Sequence, residues 1–178
     1  MHSNYIYEIN FPKDSQLQKI CDSSFSLLHL YSITFPPSLQ IIMPDSFKGC
    51  HFLEQIQFTR NDSNGSFIEI CDDAFKDTRI QSIIIPENTK FIGSTCFPKT
   101  LKKIELENGS PKLERIGNNA FCQTQIETFF LPTQTDSFIQ PKNTFLNCRK
   151  LKTIIFDSFV NKNEQLQIDY EEEKSEEE

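Results

Sequence analysis

Phenylalanine recurs along the chain at a nearly fixed spacing, and the residues around it recur in the same order. An isoleucine precedes the first five of these phenylalanines by five residues. The residue directly before each phenylalanine is small, and the one before that is Ser, Asp, Thr or Asn, the types that cap short helical turns. The recurring phenylalanines are Phe25, Phe47, Phe75, Phe97, Phe121 and Phe145, with spacings of 22, 28, 22, 24 and 24 residues.

A second hydrophobic pattern follows each phenylalanine. It has apolar residues at alternate positions, which is typical of a short strand with one buried face. Proline ends the pattern in three repeats, where its missing N–H stops strand pairing. Ile9 and Phe11 show the same ending with no repeat before them. The six full sets are Leu30-Ile33-Phe35, Leu53-Ile56-Phe58, Ile80-Ile83-Ile85, Leu101-Ile104-Leu106, Ile126-Phe129-Leu131 and Leu151-Ile154-Phe156.

These two patterns predict a solenoid, because a unit of about 24 residues cannot bury its apolar side alone and must stack on its neighbours. We expect a parallel sheet of about seven short strands on one face. Short helical or 3-10 turns and loops are expected on the other face, with the phenylalanines stacked along it. The predicted division is a partial repeat at residues 1–16, full repeats at 17–158 and a disordered acidic tail at 159–178.

The repeat resembles the BspA-type leucine-rich repeats of bacterial and protist surface antigens. The pattern L-x-x-I-x-I-P followed by I-x-x-x-A-F carries the resemblance, most clearly in IQSIIIP (80–86), FIEICDDAF (67–75) and LERIGNNAF (113–121). The resemblance implies a leucine-rich-repeat solenoid with an adhesion or host-contact role at the cell surface. The amino terminus has no recognisable signal peptide, which favours the alternative of an intracellular scaffold or regulatory protein. The compartment stays open.

Charge is concentrated at one end of the chain. Residues 169–178 contain seven acidic residues and one lysine, a net charge of −6, and the other 168 residues carry −1 of the total of −7. A nearly neutral body argues against a broad nucleic-acid footprint. No apolar run approaches the roughly 20 residues that a membrane-spanning helix needs. We therefore expect a protein partner, without nucleic acid and without membrane insertion.

Catalytic and metal-binding patterns are not found. There is no glycine-rich phosphate loop and no histidine-centred nucleophile, so we expect neither an enzyme nor a cofactor. The six cysteines lack a C-x-x-C pair and are interpreted as small buried residues, with a disulfide framework or zinc site as the weaker alternatives. His29 and His51 follow successive phenylalanines by four residues, and a solvated turn column is favoured over a shared metal.

The outward side of the strands is the surface most suited to binding. Its first half is small and polar, whereas its second half is expected to expose Ile84, Phe130 and Ile155. Exposed apolar groups on a solenoid surface can mark a contact, although β-branched and aromatic residues also simply suit strands. The candidate partner-binding residues are Ile84, Lys103, Glu105, Phe130 and Ile155.

Overall fold

The computed structural model describes residues 6–59, 68–107, 113–131 and 143–156, and these form a solenoid of stacked repeats. Residues 60–67 and 132–142, and the predicted acidic tail at 159–178, lie outside the described residues. Each repeat contributes one strand to a long wall, one shorter strand to a second wall, and a turn to a third. The predicted solenoid class is confirmed.

The seven-strand wall is the predicted sheet, and all its pairings are parallel. Equivalent isoleucines align across it, as Ile9, Ile33 and Ile56 do. Within the described residues, hydrogen bonding divides it into groups of three, two and two strands, with interruptions between β5 and β7 and between β9 and β11. Its strands are β1 Glu8–Asn10, β3 Ser32–Phe35, β5 Gln55–Phe58, β7 Ser82–Ile85, β9 Lys103–Leu106, β11 Thr128–Leu131 and β12 Thr153–Phe156.

A second parallel sheet, the five-strand wall, forms around the recurring isoleucines, which the sequence pattern did not predict as strands. Its order is β10-β8-β6-β4-β2, and one register shift occurs between Ile68 and Glu69. Alternation places Ile20, Ile42 and Ile70 in the core. The strands are β2 Lys19–Ile20, β4 Ile41–Ile42, β6 Ile68–Ile70, β8 Thr89–Ile92 and β10 Arg115–Ile116.

The turn wall consists of the six turns that carry the recurring phenylalanines. The phenylalanine rings stack along it with centroid distances of 5.2–6.3 Å and interplanar angles of 6–14°. The six turns are not the expected helical turns, because the residue two before each phenylalanine has a left-handed backbone that a right-handed helix excludes. The residues with this conformation are Ser23, Asp45, Asp73, Thr95, Asn119 and Asn143, with φ of 48–62°.

Backbone hydrogen bonds connect successive turns, so the turn wall acts as a third ladder. The N–H of Phe47 donates to the Ala74 carbonyl over 2.9 Å, and the N–H of Phe75 donates to the Cys96 carbonyl over the same distance. Asp and Asn, which tolerate positive φ, fill four of the six positions, so the column is explained by the left-handed backbone and not by helix capping.

Candidate functional site

The five predicted binding residues all lie on the outer face of the seven-strand wall, at the outward positions of four strands. Ile84 on β7 faces Glu105 on β9 in register. Phe130 on β11 faces Ile155 on β12 in the same way. The two pairs lie in different hydrogen-bonded groups, because β9 and β11 are not paired within the described residues. We refer to Ile84, Lys103, Glu105, Phe130 and Ile155 as the outer-face patch.

The apolar members of the patch differ in exposure. Ile84 is 53% exposed and Ile155 is 44% exposed. Phe130 is only partly exposed, so its ring is more buried than the sequence pattern predicted. The two isoleucines therefore provide most of the accessible apolar surface of the patch.

The charged members of the patch form an ion pair within one strand. Lys103 and Glu105 are two residues apart on β9 and point to the same side, and the Lys103 Nζ contacts Glu105 Oε1. Both side chains are about half or more exposed, and such pairs contribute at most about 1 kcal/mol to folding. Their charge is therefore accessible to a partner without being essential to the fold.

Exposed aromatic side chains form a second surface feature at the other end of the same wall. Tyr7 and Tyr31 stack at a centroid distance of 4.9 Å. His29 stacks on Phe52 at 5.2 Å, and the guanidinium of Arg79 lies 5.5 Å from the centre of the Phe52 ring. Sequence analysis missed this column because repeats were aligned on phenylalanine. Alignment on the buried leucine or isoleucine that begins each strand pattern would have placed His29, Phe52 and Arg79 in one column and Tyr7 and Tyr31 in the next.

The two candidate histidines do not come together. One extra residue separates Phe47 from Leu53 compared with the preceding repeat, so His51 is shifted out of the column of His29. The His51 Nδ1 instead lies 3.0 Å from the Asp77 carbonyl oxygen. In the described part of the chain, no group of three or more His, Cys, Asp or Glu residues is arranged to hold a metal ion.

The cysteines are all free thiols, and most serve packing. Cys50, Cys96 and Cys148 are buried, Cys71 and Cys122 are partly buried, and Cys21 is exposed. The Cys50 Sγ donates to the Phe25 carbonyl oxygen over 2.8 Å, so this thiol bonds to the backbone of the neighbouring turn.

The pKa of the less exposed cysteine thiols is raised. Burial, assisted by the nearby carboxylates of Glu69 and Asp72, raises the pKa of Cys71 to about 11. Burial also raises the pKa of the Cys96 and Cys148 thiols. A raised pKa reduces the thiolate population that a nucleophile or metal ligand requires.

Acidic residues in the turn wall are used by the fold. The Asp73 carboxylate accepts hydrogen bonds from Thr95 Oγ1 and Lys76. Lys48 connects two repeats, with its Nζ 2.7 Å from Asp45 Oδ1 and 3.4 Å from Asp73 Oδ2. Burial opposes ionisation of Asp73, but the hydrogen bonds from Thr95 and Lys76 outweigh it and lower its pKa. These acids therefore stabilise the stack of turns.

No described helix has the length and apolar character that crossing a membrane requires. A comparison with curated protein sequences finds no significant match. Among solved structures, the pneumococcal vaccine antigen PcpA is similar, with a TM-score of 0.72 and 22% identity over 89% of this chain and 42% of PcpA. A leucine-rich cell surface protein from Faecalibacterium prausnitzii A2-165 has a TM-score of 0.56 and 19% identity, over 88% of this chain and 49% of that protein.

This chain thus spans less than half the length of either of these two structures, and at such identities the likeness shows the fold alone. The model of the BspA type leucine-rich repeat region matches six copies over residues 1–67 and 68–168. That match covers most of the sequence and agrees with the repeated strands and stacked turns. The chain therefore belongs to the BspA-type leucine-rich repeat family.

Proposed function

We propose that this protein is a non-enzymatic protein-interaction module that binds a protein partner through the outer-face patch. The observation that carries the proposal is the exposure of Ile84 and Ile155 on a face whose other outward residues are mostly polar. Leucine-rich-repeat solenoids generally serve as interaction scaffolds, and stacked repeats offer extended binding surfaces. Neither a nucleic-acid ligand nor catalysis is part of the proposal.

The patch has the composition of a contact surface. Apolar side chains on both sides of Glu105 supply area that loses water on binding. The Lys103–Glu105 pair supplies a donor and an acceptor that fix the orientation of a partner. A flat surface of this kind suits a folded protein partner better than a small molecule, which needs a concave pocket.

Two biological settings are compatible with this module. Adhesion or host contact at the cell surface is favoured by the family and by the likeness to surface antigens. An intracellular scaffold or regulatory protein built on the same repeat is the second candidate. Labelling of intact cells with an impermeant reagent separates them, because exclusion from the labelled pool contradicts surface display.

The binding test replaces Ile84, Phe130 and Ile155 by serine together in the full chain. We expect capture of the partner, quantified by mass spectrometry, to fall at least about tenfold, because truncation of a central contact residue commonly costs more than 1 kcal/mol. The matched control replaces Leu27 and Phe52 by serine, since these are exposed apolar residues outside the patch. Unchanged capture by a folded triple variant, or equal loss in the control, contradicts the proposal.

A further inference from the structure

Basic side chains lie beside the outer-face patch, in the last three repeats of the described chain. We define the basic strip as Lys99, Lys102, Lys103, Lys150 and Lys152, all of which are exposed. Asp77 lines the same surface depression as Lys99, and Glu105 and Glu127 lie among the other lysines, so the strip carries five positive charges against three negative ones, a net +2. This surplus contrasts with the near-neutral body of the chain.

Two of these lysines bind neutral amides and keep their charge uncompensated. The Lys102 Nζ donates to Gln81 Oε1 over 2.8 Å, and the Lys150 Nζ donates to Gln125 Oε1 over 3.2 Å. The hydrogen bonds hold the ammonium groups in place without neutralising them. The strip therefore presents fixed, hydrated cations that an additional anion can approach.

A third lysine of the strip, Lys152, is already paired with a carboxylate. The Lys152 Nζ lies 3.0 Å from Glu127 Oε2, and the hydrogen bond and charge of Lys152 lower the pKa of the Glu127 carboxyl. Glu127 occupies the position before β11 that Lys102 and Lys152 occupy before β9 and β12. Its carboxylate compensates Lys152, whereas Lys102 in the same column has a neutral amide as its partner.

Lys13 and Lys19 are also exposed, but they lie at the opposite end of the solenoid, whereas the other described lysines outside the strip are paired with acidic residues. Lys48 and Lys76 in the turn wall are paired with Asp45 and Asp73. Lys90 in the five-strand wall is paired with Glu114, at 2.9 Å. The polar first half of the outer face, which includes Ser32 and Gln57, offers hydrogen bonds but no positive charge. An acidic segment is therefore attracted most strongly to the basic strip.

The chain itself contains such a segment within reach. Residues 169–178 carry a net charge of −6 and begin 13 residues after Phe156, where β12 ends. A fully extended segment of thirteen residues spans up to about 45 Å. Lys152 lies four residues before Phe156, about 13 Å back along the direction of β12. Lys102 lies two strand spacings, about 10 Å, beyond Lys152. Linkage to the same chain also gives the segment a millimolar effective concentration at the strip.

We propose that the acidic tail, residues 169–178, binds the basic strip of its own chain. The contact is electrostatic and needs no folding of the tail, because a highly charged segment can bind without burying an apolar core. It covers the edge of the outer face next to Lys103 and Ile155, so an acidic partner and the tail compete for one surface. The inference stands on charge and reach, and is independent of the partner proposed above.

The test is zero-length carbodiimide cross-linking of the full chain at low protein concentration. This chemistry joins a carboxylate to an amine only where the two are in contact, with loss of one water. We expect monomers to contain links from tail glutamates to Lys102, Lys150 and Lys152 at least about fivefold above links to Lys13 and Lys19. Near 0.5 M salt, where the Debye length is about 4 Å, these links should fall to the level of Lys13 and Lys19.

A matched pair of variants completes the test. Lys102→Gln with Lys150→Gln removes two cations whose partners are neutral, so no carboxylate is left unpaired. Lys13→Gln with Lys19→Gln makes the same charge change at the other end. We expect links between the tail and Lys152 to fall about threefold in the first variant and to stay unchanged in the second, with circular dichroism confirming that both are folded. Equal yields at all lysines, insensitivity to the strip variant, or links confined to dimers overturn the proposal.

Discussion

The turn wall and the outer face of the seven-strand wall arise from the same repeat, yet they use their side chains differently. In the turn wall, Asp73 accepts bonds from Thr95 and Lys76, Lys48 bridges two repeats, and the phenylalanines stack in sequence. On the outer face, side chains mostly meet solvent, and their contacts are ion pairs such as Lys103–Glu105 or hydrogen bonds to side-chain amides such as Lys102–Gln81. The comparison separates residues required by the fold from residues available for binding.

The largest expected effect on the free energy of unfolding comes from removing a stacked phenylalanine ring from the turn wall. We expect Phe75→Ala to destabilise the protein by about 3–5 kcal/mol, because it leaves a cavity between the rings of Phe47 and Phe97. Guanidinium denaturation monitored by circular dichroism measures the loss. Phe52→Ala, which removes a ring that is 46% exposed, serves as the control and should cost less than about 1 kcal/mol. Similar losses in both variants would contradict the distinction between the walls.

The second prediction concerns a close approach between repeats next to the turn wall. A Cβ on Gly93 would lie 2.3 Å from the backbone nitrogen of Asp72 and 2.3 Å from the carbonyl carbon of Cys71. Since backbone atoms cannot move aside as a side chain does, Gly93→Ala should cost about 2–3 kcal/mol in thermal unfolding. Ser94→Ala, one residue along, should remain within about 0.5 kcal/mol. A neutral Gly93→Ala would show that adjacent repeats are less closely packed than described.

The third prediction uses the charge of Asp73. Because its folded pKa is lowered, its ionised form stabilises the protein above the ordinary aspartate pKa of about 4, and this contribution is lost as the pH falls through the lower folded value. Asn tolerates the positive φ of Asp73, so Asp73→Asn removes the charge, and turns one acceptor oxygen into an NH2 donor, without straining the turn. We expect a loss of about 1–2 kcal/mol at pH 7 that disappears in acid.

Urea unfolding of this variant and the wild type between pH 2 and 7 checks that prediction. Asp14→Asn, at an exposed position, is the control and should follow the wild type throughout. A difference between Asp73→Asn and the wild type that is constant with pH would assign the effect to shape instead of charge.

The smallest expected effect lies on the outer face. Ile84→Thr keeps the branched side chain that suits a strand, and should change the free energy of unfolding by less than about 0.5 kcal/mol. Ile83→Thr, its neighbour on the same strand, places a hydroxyl in the core and should cost more than about 2 kcal/mol. Equal costs measured by denaturant titration would show that the outer face is also required for folding.

Sequence periodicity predicted the repeat, the seven strands and their register, because buried isoleucines and phenylalanines recur at fixed positions. It did not predict the five-strand wall, since two-residue strands such as Lys19–Ile20 are too short to show alternation. Nor did it predict the left-handed turns, because Asp, Asn and Ser favour both helix caps and positive φ. The outer-face residues followed from alternation, but the burial of Phe130 depends on neighbours that one strand's pattern cannot report.

At both interruptions of the seven-strand wall, the neighbouring strands of the five-strand wall remain paired. Where β5 and β7 are unpaired, β4 pairs with β6, and where β9 and β11 are unpaired, β8 pairs with β10. No boundary between these repeats is therefore a plane of weakness through the whole cross-section. A pulling force along the solenoid axis would therefore meet a paired ladder of the five-strand wall at each of these two boundaries.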